Sequence, residues 1–297
     1  MLPALGLAGR AFRIEPPREA GTRTTLFVLH VEGAAPLLLR LFRRRLRALR
    51  NAEALRHLES LGLPAPRLVH EDVSRASRLI GRDRSRPYLT VESWIDGLPH
   101  AALTEPAQIR EGALAVAALL ARFHEATRAR WGRPAERRLR SFASHTFAAV
   151  RTMVADLGRR SWLAPDEAAG SMQRFTAWSD RVRALDRFNL VHNDANRRNM
   201  IVTRAGSGGP PAIVPVDLHR LAYQPFPEEL VNALYHFCRK DPDLAVRFER
   251  AYFERAGRAA RDQFDATRGF FEPLNYLKKM YHRAPGLPNP APGAAFA

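Results

Sequence analysis

The 297-residue chain has one cysteine, three lysines among its 47 basic residues, and no uninterrupted apolar run of membrane-spanning length. A lone Cys238 excludes an intramolecular disulfide framework, and its neighbours Leu234, Tyr235 and Phe237 mark it as a buried small residue. No Cys/His cluster has zinc spacing. The stretch from Met1 to Gly9 lacks a basic segment before its short apolar run, which makes it a poor secretory signal and a cytoplasmic location the expectation. There is no internal repeat, and glycine is scarce in the one loop, Pro17 to Thr25, that separates the first two strand-like segments. The tail from Pro285 to Ala297, rich in Pro, Ala and Gly, reads as irregular.

The scarcity of lysine is offset by arginine, which supplies the other 44 basic residues and gives a formal net charge of +17. Such a surface favours anionic partners: a nucleotide, a phosphorylated or acidic sugar, or peripheral contact with an anionic membrane. Its densest patch is Arg43-Arg44-Arg45-Leu46-Arg47. Nucleic acid is not an expected partner, since no recognised motif is present and aromatics do not interleave with the basic run.

The most informative stretch is Asn189-Leu190-Val191-His192-Asn193-Asp194-Ala195-Asn196-Arg197-Arg198-Asn199-Met200-Ile201-Val202. Leu190-Val191 and Met200-Ile201-Val202 are too short for helices and read as strands around a polar loop. A third apolar segment, Ala212 to Val216, follows the turn-forming run Ala205 to Pro211 and ends at Asp217. A hairpin of the first two runs would hold the loop at its mouth and bring Asp217 close to Asn199. Phosphoryl transfer from ATP asks little covalent chemistry of a protein. It asks for Mg²⁺ on hard oxygen donors and for a carboxylate that orients and deprotonates the acceptor hydroxyl. Asp194 fits the base; Asn199, five residues on, and Asp217 fit the metal ligands. His192 fits a loop-ordering role beside the base.

These motifs resemble the aminoglycoside phosphotransferase and choline kinase branch of the protein-kinase-like fold, whose members carry His-x-Asp-x-x-x-x-Asn and then an Asp after a strand. The run Asp217-Leu218-His219-Arg220 is closer to bacterial lipopolysaccharide core sugar kinases. The resemblance implies an α+β, bilobal fold with a small antiparallel-sheet N-lobe over residues 1–97, a larger helical C-lobe over 98–284 and an irregular tail. Leu26 to Val31 and Pro36 to Leu41 read as consecutive strands, with Ala11 to Ile14 beginning the sheet. In this family the loop from Pro17 to Thr25 covers the ATP phosphates, which makes its backbone amides and the hydroxyls of Thr22, Thr24 and Thr25 candidate contacts. A helix from Arg44 to Leu61, with Leu46, Leu49, Leu55, Leu58 and Leu61 on its apolar face, carries Glu53. A strand Lys pairs with a Glu on this helix in kinase-like folds; chain order makes Arg40 and Glu53 that pair, with Arg in place of Lys. Pro87 to Gly97 resembles the strand and hinge beside adenine, with Glu92, Ser93, Trp94 and Ile95 as the bracket.

Further helices are expected over Ile109–Thr127, Thr146–Leu157, Pro165–Leu185, Pro227–Phe237, Leu244–Ala256 and Phe270–Tyr281. His124 reads as a packed or capping residue. The leading expectation is an ATP- and Mg²⁺-dependent phosphotransferase acting on a hydroxyl of a sugar-containing or small polar acceptor, with a lipopolysaccharide core sugar favoured by the basic surface. The competing expectation is a pseudokinase-like nucleotide-binding protein that docks an anionic partner, since Arg40 and the glycine-poor loop both depart from the usual pattern.

Overall fold

Apolar residues alternating along the first third of the chain pair into an antiparallel sheet. In a computed structural model, which describes residues 9–15, 24–73, 88–136, 141–203 and 211–284, this sheet has the order β1-β2-β3-β5-β4. Its strands are β1 (Phe12–Glu15), β2 (Thr24–Val31), β3 (Leu37–Phe42), β4 (Leu68–Asp72) and β5 (Tyr88–Ser93). Leu39, Leu89 and Val91 form its buried face, with Phe27, Leu37, Leu41 and Val69 packed against them. The register of β3 on β5 sets Arg40 opposite Thr90 and Leu38 opposite Glu92, which makes Arg40 and Glu92 diagonal neighbours on one face.

Between β3 and β4 runs α1 (Arg45–Ser60), whose buried residues Ala48, Asn51, Ala52, Ala54, Leu55 and Leu58 recur at helical spacing. The apolar face differs from the leucine stripe expected from the sequence: Leu46 and Leu61 are exposed, and alanines with Asn51 take their place. Small side chains here let the helix approach its neighbours closely. Helix α1 contacts β3, β4, β5 and the 3-10 turn Leu218–Arg220.

The described residues pack as two compact units, one within Met1–Val116 and Asp194–Leu221, the other within Ala117–Asn193 and Ala222–Ala297. Gly97 lies inside the first. That unit also holds a three-stranded sheet, β10-β9-β6, made of β6 (Leu98–Pro99), β9 (Met200–Thr203) and β10 (Ala212–Pro215). Gly97 is required where it stands, because a Cβ there would lie 2.5 Å from the Val202 carbonyl oxygen. The chain passes to the second unit within α2 (Pro106–Glu125).

The second unit is mainly helical: α3 (Phe142–Arg159), α4 (Pro165–Ala177), α5 (Ser179–Arg183), α6 (Phe226–Cys238), α7 (Pro242–Ala256) and α8 (Arg258–Arg283). A small sheet, β11-β8-β7, joins β7 (Thr127–Arg128), β8 (Phe188–Val191) and β11 (Ala222–Gln224). Its core is aromatic: Phe248, Tyr252, Phe264, Phe270, Phe271 and Tyr281 are fully buried. Cys238 is buried as expected, and burial, with Asp241 and Glu249 nearby, pushes its thiol up to about 12.

Strand pairing around the polar loop and the start of the last helix also differ from the sequence expectation. The strands on either side of the polar loop do not form a hairpin: β8 pairs with β7 and β11, and β9 pairs with β10 and β6. The loop therefore joins two sheets, and the hairpin is β9–β10, with Pro215 opposite Met200. The last helix begins at Arg258 rather than Phe270, because Phe264 and Thr267 continue its buried face back toward Gly257, whose positive φ of 82° separates it from α7. Among the described residues no helix is long and apolar enough to cross a membrane. The expected turn at 205–211 lies almost wholly outside the described residues.

Candidate active site

The loop from Asp194 to Asn199 is held by its own short polar side chains. The Asn196 amide donates to the Asp194 carboxylate oxygen Oδ1 at 3.0 Å and to the Asp194 carbonyl at 3.1 Å, while its Oδ1 accepts the Arg198 N–H at 2.9 Å. Asn199 Nδ2 donates to the same Asp194 carbonyl at 2.9 Å. These are the local side-chain-to-backbone bonds that Asn forms readily in turns. They fix one Asp194 oxygen and leave Oδ2 with no protein donor among the described residues. Asn196 was not singled out from the sequence, although its place two residues after an Asp in a tight loop is a legible signal.

The loop is also moored from outside. The Arg197 carbonyl accepts the Ala101 N–H at 2.8 Å, and Arg197 Nε donates to His100 Nδ1 at 3.1 Å. Because Arg donates only, His100 Nδ1 accepts and its Nε2–H donates to the Ile109 carbonyl at 3.0 Å. Burial lowers the His100 pKa to about 4; the bond to Ile109 opposes this and the Arg197 charge adds to it.

Asp217 follows β10 and is tied to Asn199 through its neighbour: the Val216 N–H donates to the Asn199 carbonyl at 2.9 Å. Asp217 itself is left-handed, with φ 60° and ψ 50°, a conformation that Asp tolerates better than most residues and that marks a constrained position. Its Oδ1 accepts His219 Nδ1–H at 2.9 Å and lies 3.8 Å from Arg40 Nη1. Burial alone would raise its pKa, but the His219 hydrogen bond and the charges of Arg40 and Arg47 hold the carboxyl well below its ordinary range. Asp217 is thus a carboxylate at any working pH. Asn199 and Asp217 offer hard oxygens, a carboxamide and a carboxylate. This set suits Mg²⁺, which keeps several waters and takes further oxygens from phosphates rather than needing an all-protein cage. Among the described residues no group of three or more His, Cys, Asp or Glu is arranged to hold a metal.

Arg40, buried in the centre of β3, does not use the partner expected from chain order. Its Nε and Nη2 donate to Glu92 Oε1 and Oε2 at 3.1 and 3.4 Å, and the charges acting on it are those of Glu92 and Asp217. Burial works against its charge, yet these carboxylates raise its pKa further. Glu92 Oε1 also accepts from Asn51 Nδ2 at 2.7 Å and from Thr90 Oγ1 at 2.8 Å. The reason that Glu53 is replaced is helix phase: Asn51 faces the sheet, and Glu53 lies about 200° further round the helix. Glu92, read from the sequence as a hinge residue, is therefore an ion-pair residue on β5.

The rest of the bracket is largely committed to the sheet. Ser93 exchanges with Arg67, its N–H donating at 2.9 Å and its Oγ accepting at 2.9 Å, and the Trp94 N–H donates to Pro36 at 3.2 Å. Ile95 keeps a backbone N–H without a partner among the described residues. Thr24 opens β2, half-buried opposite Phe42. Thr22 and most of the expected phosphate loop lie outside the described residues.

In the second unit, a buried carboxylate absent from the sequence reading supports the approach to the loop. Glu229 on α6 accepts the His192 N–H at 3.0 Å on Oε2 and the Asn193 N–H at 2.6 Å on Oε1. Asn193 is left-handed, with φ 61°. His124, expected to pack or cap, links Glu229 to Tyr252, with Nε2 3.1 Å from Oε2 and Nδ1 2.7 Å from the Tyr252 hydroxyl. His192 is fully buried, and its backbone N–H is what Glu229 holds.

Comparisons with known proteins agree with this architecture. A search of curated proteins finds no match. Among solved structures, aminoglycoside phosphotransferase APH(4)-Ia, as a thermostable mutant in a ternary complex with ADP and hygromycin B, is 16% identical with a TM-score of 0.57, covering 96% of this chain and 97% of that one. APH(3'')-Id from Streptomyces rimosus is 18% identical with a TM-score of 0.53, covering 89% and 92%. Choline kinase from Cryptosporidium parvum Iowa II is 14% identical with a TM-score of 0.56, covering 92% and 84%. At these identities the likeness establishes the kinase-like α+β fold. The model of the phosphotransferase enzyme family matches residues 14–264, so the chain belongs to that family and is a kinase-type enzyme with an alcohol group as acceptor.

Proposed function

We propose that the protein transfers the γ-phosphoryl group of ATP, with Mg²⁺, to a hydroxyl of a sugar-containing acceptor, and that the acceptor is anionic. The observation that carries the transfer is the gathering of Asp194, Asn199 and Asp217 by one bonded loop and one strand end. Asp194, with one oxygen held by Asn196, keeps the other for the acceptor proton. Asn199 and Asp217 hold the metal, whose part is to neutralise charge on the phosphates. Arg40 supplies a fixed cation near Asp217 for the phosphates. Ile95 offers a main-chain N–H for adenine, and Thr24 stands where the phosphate loop ends and β2 begins. Solved relatives bear on the nucleotide, since one of them holds ADP.

The acceptor follows from charge. Aminoglycosides are polycations, and a chain of net charge +17 repels them at long range while attracting acidic or phosphorylated sugars, including those carried on lipid. Arg43, Arg44 and Arg45 are exposed at the start of α1 and favour peripheral contact with an anionic membrane surface, from the cytoplasmic side where ATP is available.

One observation favours a second reading, a pseudokinase that binds nucleotide and an anionic partner: Arg40 gives two of its nitrogens to Glu92. Turnover separates the two. Purified protein with Mg²⁺ and ATP, screened against acidic glycolipids, neutral sugars and aminoglycosides, is expected to phosphorylate an acidic glycan. Asp194→Asn should lower that rate by at least about a hundredfold while ATP affinity holds. A wild-type chain that binds ATP but phosphorylates nothing would point to the pseudokinase. An aminoglycoside as the best acceptor would overturn the anionic choice alone.

A further inference from the structure

We propose that His219, oriented by Arg47, is the positioning residue that fixes the Asp217 carboxylate for its metal ion. The inference rests on the reading of Asp217 as a metal ligand.

Three side chains form a directed line. Arg47 Nη2 on α1 lies 2.7 Å from His219 Nε2, and His219 Nδ1 lies 2.9 Å from Asp217 Oδ1. A guanidinium cannot accept a hydrogen bond, so Nε2 is the acceptor and the ring proton resides on Nδ1, where it is donated to Asp217. Arg47 thereby selects the tautomer that Asp217 needs. The arrangement is the outer-shell support seen around metal sites, in which a hydrogen-bonded partner sets the direction of the liganding group.

What the brace opposes is also visible. Asp217 is left-handed, so its side chain leaves the strand end at an unusual angle, and Arg40 Nη1 is only 3.8 Å from Oδ1. Without His219 the nearest attraction on the carboxylate is this buried cation, and rotation toward it would remove oxygen from the metal. With His219 in place, Oδ1 is held and Oδ2 has no protein donor among the described residues. Leu218 and Leu221, both buried to within 1% of full burial, pin the turn that carries His219. His219 is itself buried, which suits support of Asp217 rather than contact with substrate. The 3-10 turn and α1 make extensive contact, so the position of the helix and the aim of the metal ligand are set together.

The test reads metal binding directly. Mn²⁺ affinity is measured by electron paramagnetic resonance with a non-hydrolysable ATP analogue present, beside the Mg²⁺ dependence of turnover. His219→Ala should weaken Mn²⁺ binding by about 10- to 100-fold. Saturating Mg²⁺ should restore most of its kcat, and its metal-free affinity for the analogue should not change. His219→Asn keeps an amide N–H where Nδ1 stands and should recover most of the affinity. Arg47→Ala should fall between the two, and Arg47→Lys, which keeps a donor, should fall near the wild type. If His219→Ala does not fold, the Arg47 pair and His219→Asn carry the same comparison. Asp217→Asn separates the two levels of the argument. If it loses Mn²⁺ while His219→Ala and Arg47→Ala keep wild-type affinity, the brace is overturned and the ligand reading survives. If Asp217→Asn binds Mn²⁺ normally, both are overturned.

Discussion

Two buried carboxylates, one in each unit, solve different problems. Glu92 in the first unit neutralises a cation: Arg40 takes both its oxygens, and Asn51 and Thr90 add neutral donors to one of them. Glu229 in the second unit holds backbone: it accepts the N–H groups of His192 and Asn193, with His124 beside it. A carboxylate that serves a side-chain cation can come from any element within reach of that cation. In this chain it comes from β5, with the helix supplying Asn51 instead. A carboxylate that serves two successive backbone N–H groups has no such freedom, because its partners are fixed by the path of the chain. The first is a question of charge balance and the second of backbone geometry.

The comparison is sharpest when each carboxylate is removed. Glu92→Ala leaves a buried guanidinium without its main counter-charge, which typically costs about 3–5 kcal/mol. It should lower the denaturation midpoint of the first unit strongly and disturb nucleotide affinity through Arg40. The double variant Arg40→Met with Glu92→Leu should recover most of the stability, since replacing a buried pair by apolar groups is often neutral, and it should not recover nucleotide binding. If the double variant is as unstable as Glu92→Ala, Glu92 does more than balance Arg40 and the contrast fails.

Glu229→Gln tests the other half at smaller cost. The carboxamide keeps one acceptor but turns an NH₂ toward a backbone N–H, stranding a buried donor at about 1–3 kcal/mol. Asn193 immediately precedes Asp194, so the loss should appear as a fall in kcat of about tenfold or more, of the size expected when a positioning group is removed, with ATP affinity unchanged. Titration calorimetry beside steady-state kinetics separates the two. A Glu229→Gln enzyme with lowered ATP affinity and unchanged kcat would place this carboxylate with Glu92.

The same contrast governs what the sequence could disclose. The polar loop and Asp217 are a local matter: Asp194, Asn196 and Asn199 bond to one another within five residues, and spacing alone suggested most of that arrangement. The sheet strands and helices of the first unit were likewise readable from alternation and helical period. Partner choice was not. Arg40 and Glu92 are 52 residues apart, joined by the register of β3 on β5 and by which face of α1 looks inward. Chain order pointed to Glu53, and the helix phase placed Asn51 there instead. Short strands carry too little pattern to name their neighbours, which is why β8 and β9 read as a hairpin although each belongs to a different sheet. Glu229 and His124, 105 residues apart, look in sequence like ordinary helix residues.

The smallest effect concerns acid. His100 is buried and neutral, with a pKa lowered to about 4 from 6.5, chiefly by burial. As pH falls below about 6.5 the unfolded chain takes up a proton that the folded chain refuses until about pH 4, so stability is present above that window and declines through it. His219, also lowered chiefly by burial, acts in the same direction, whereas Asp217 matters only at more acid pH. With solvent screening on the half-exposed Arg197 side, His100 should account for about 1 kcal/mol. For a unit of this size that corresponds to about 2–4 °C in Tm. His100→Gln keeps a donor for the Ile109 carbonyl and has no titrating group, so its Tm should decline less steeply than wild type between pH 6.5 and 4. His219 adds to the decline in the same direction, so a His100→Gln, His219→Asn double variant should flatten it further. A Tm profile as steep as wild type in His100→Gln would mean that His100 takes up its proton in the folded chain as readily as in the unfolded one. The link from Arg197 to the 100–102 turn would then be looser than its 3.1 Å hydrogen bond implies.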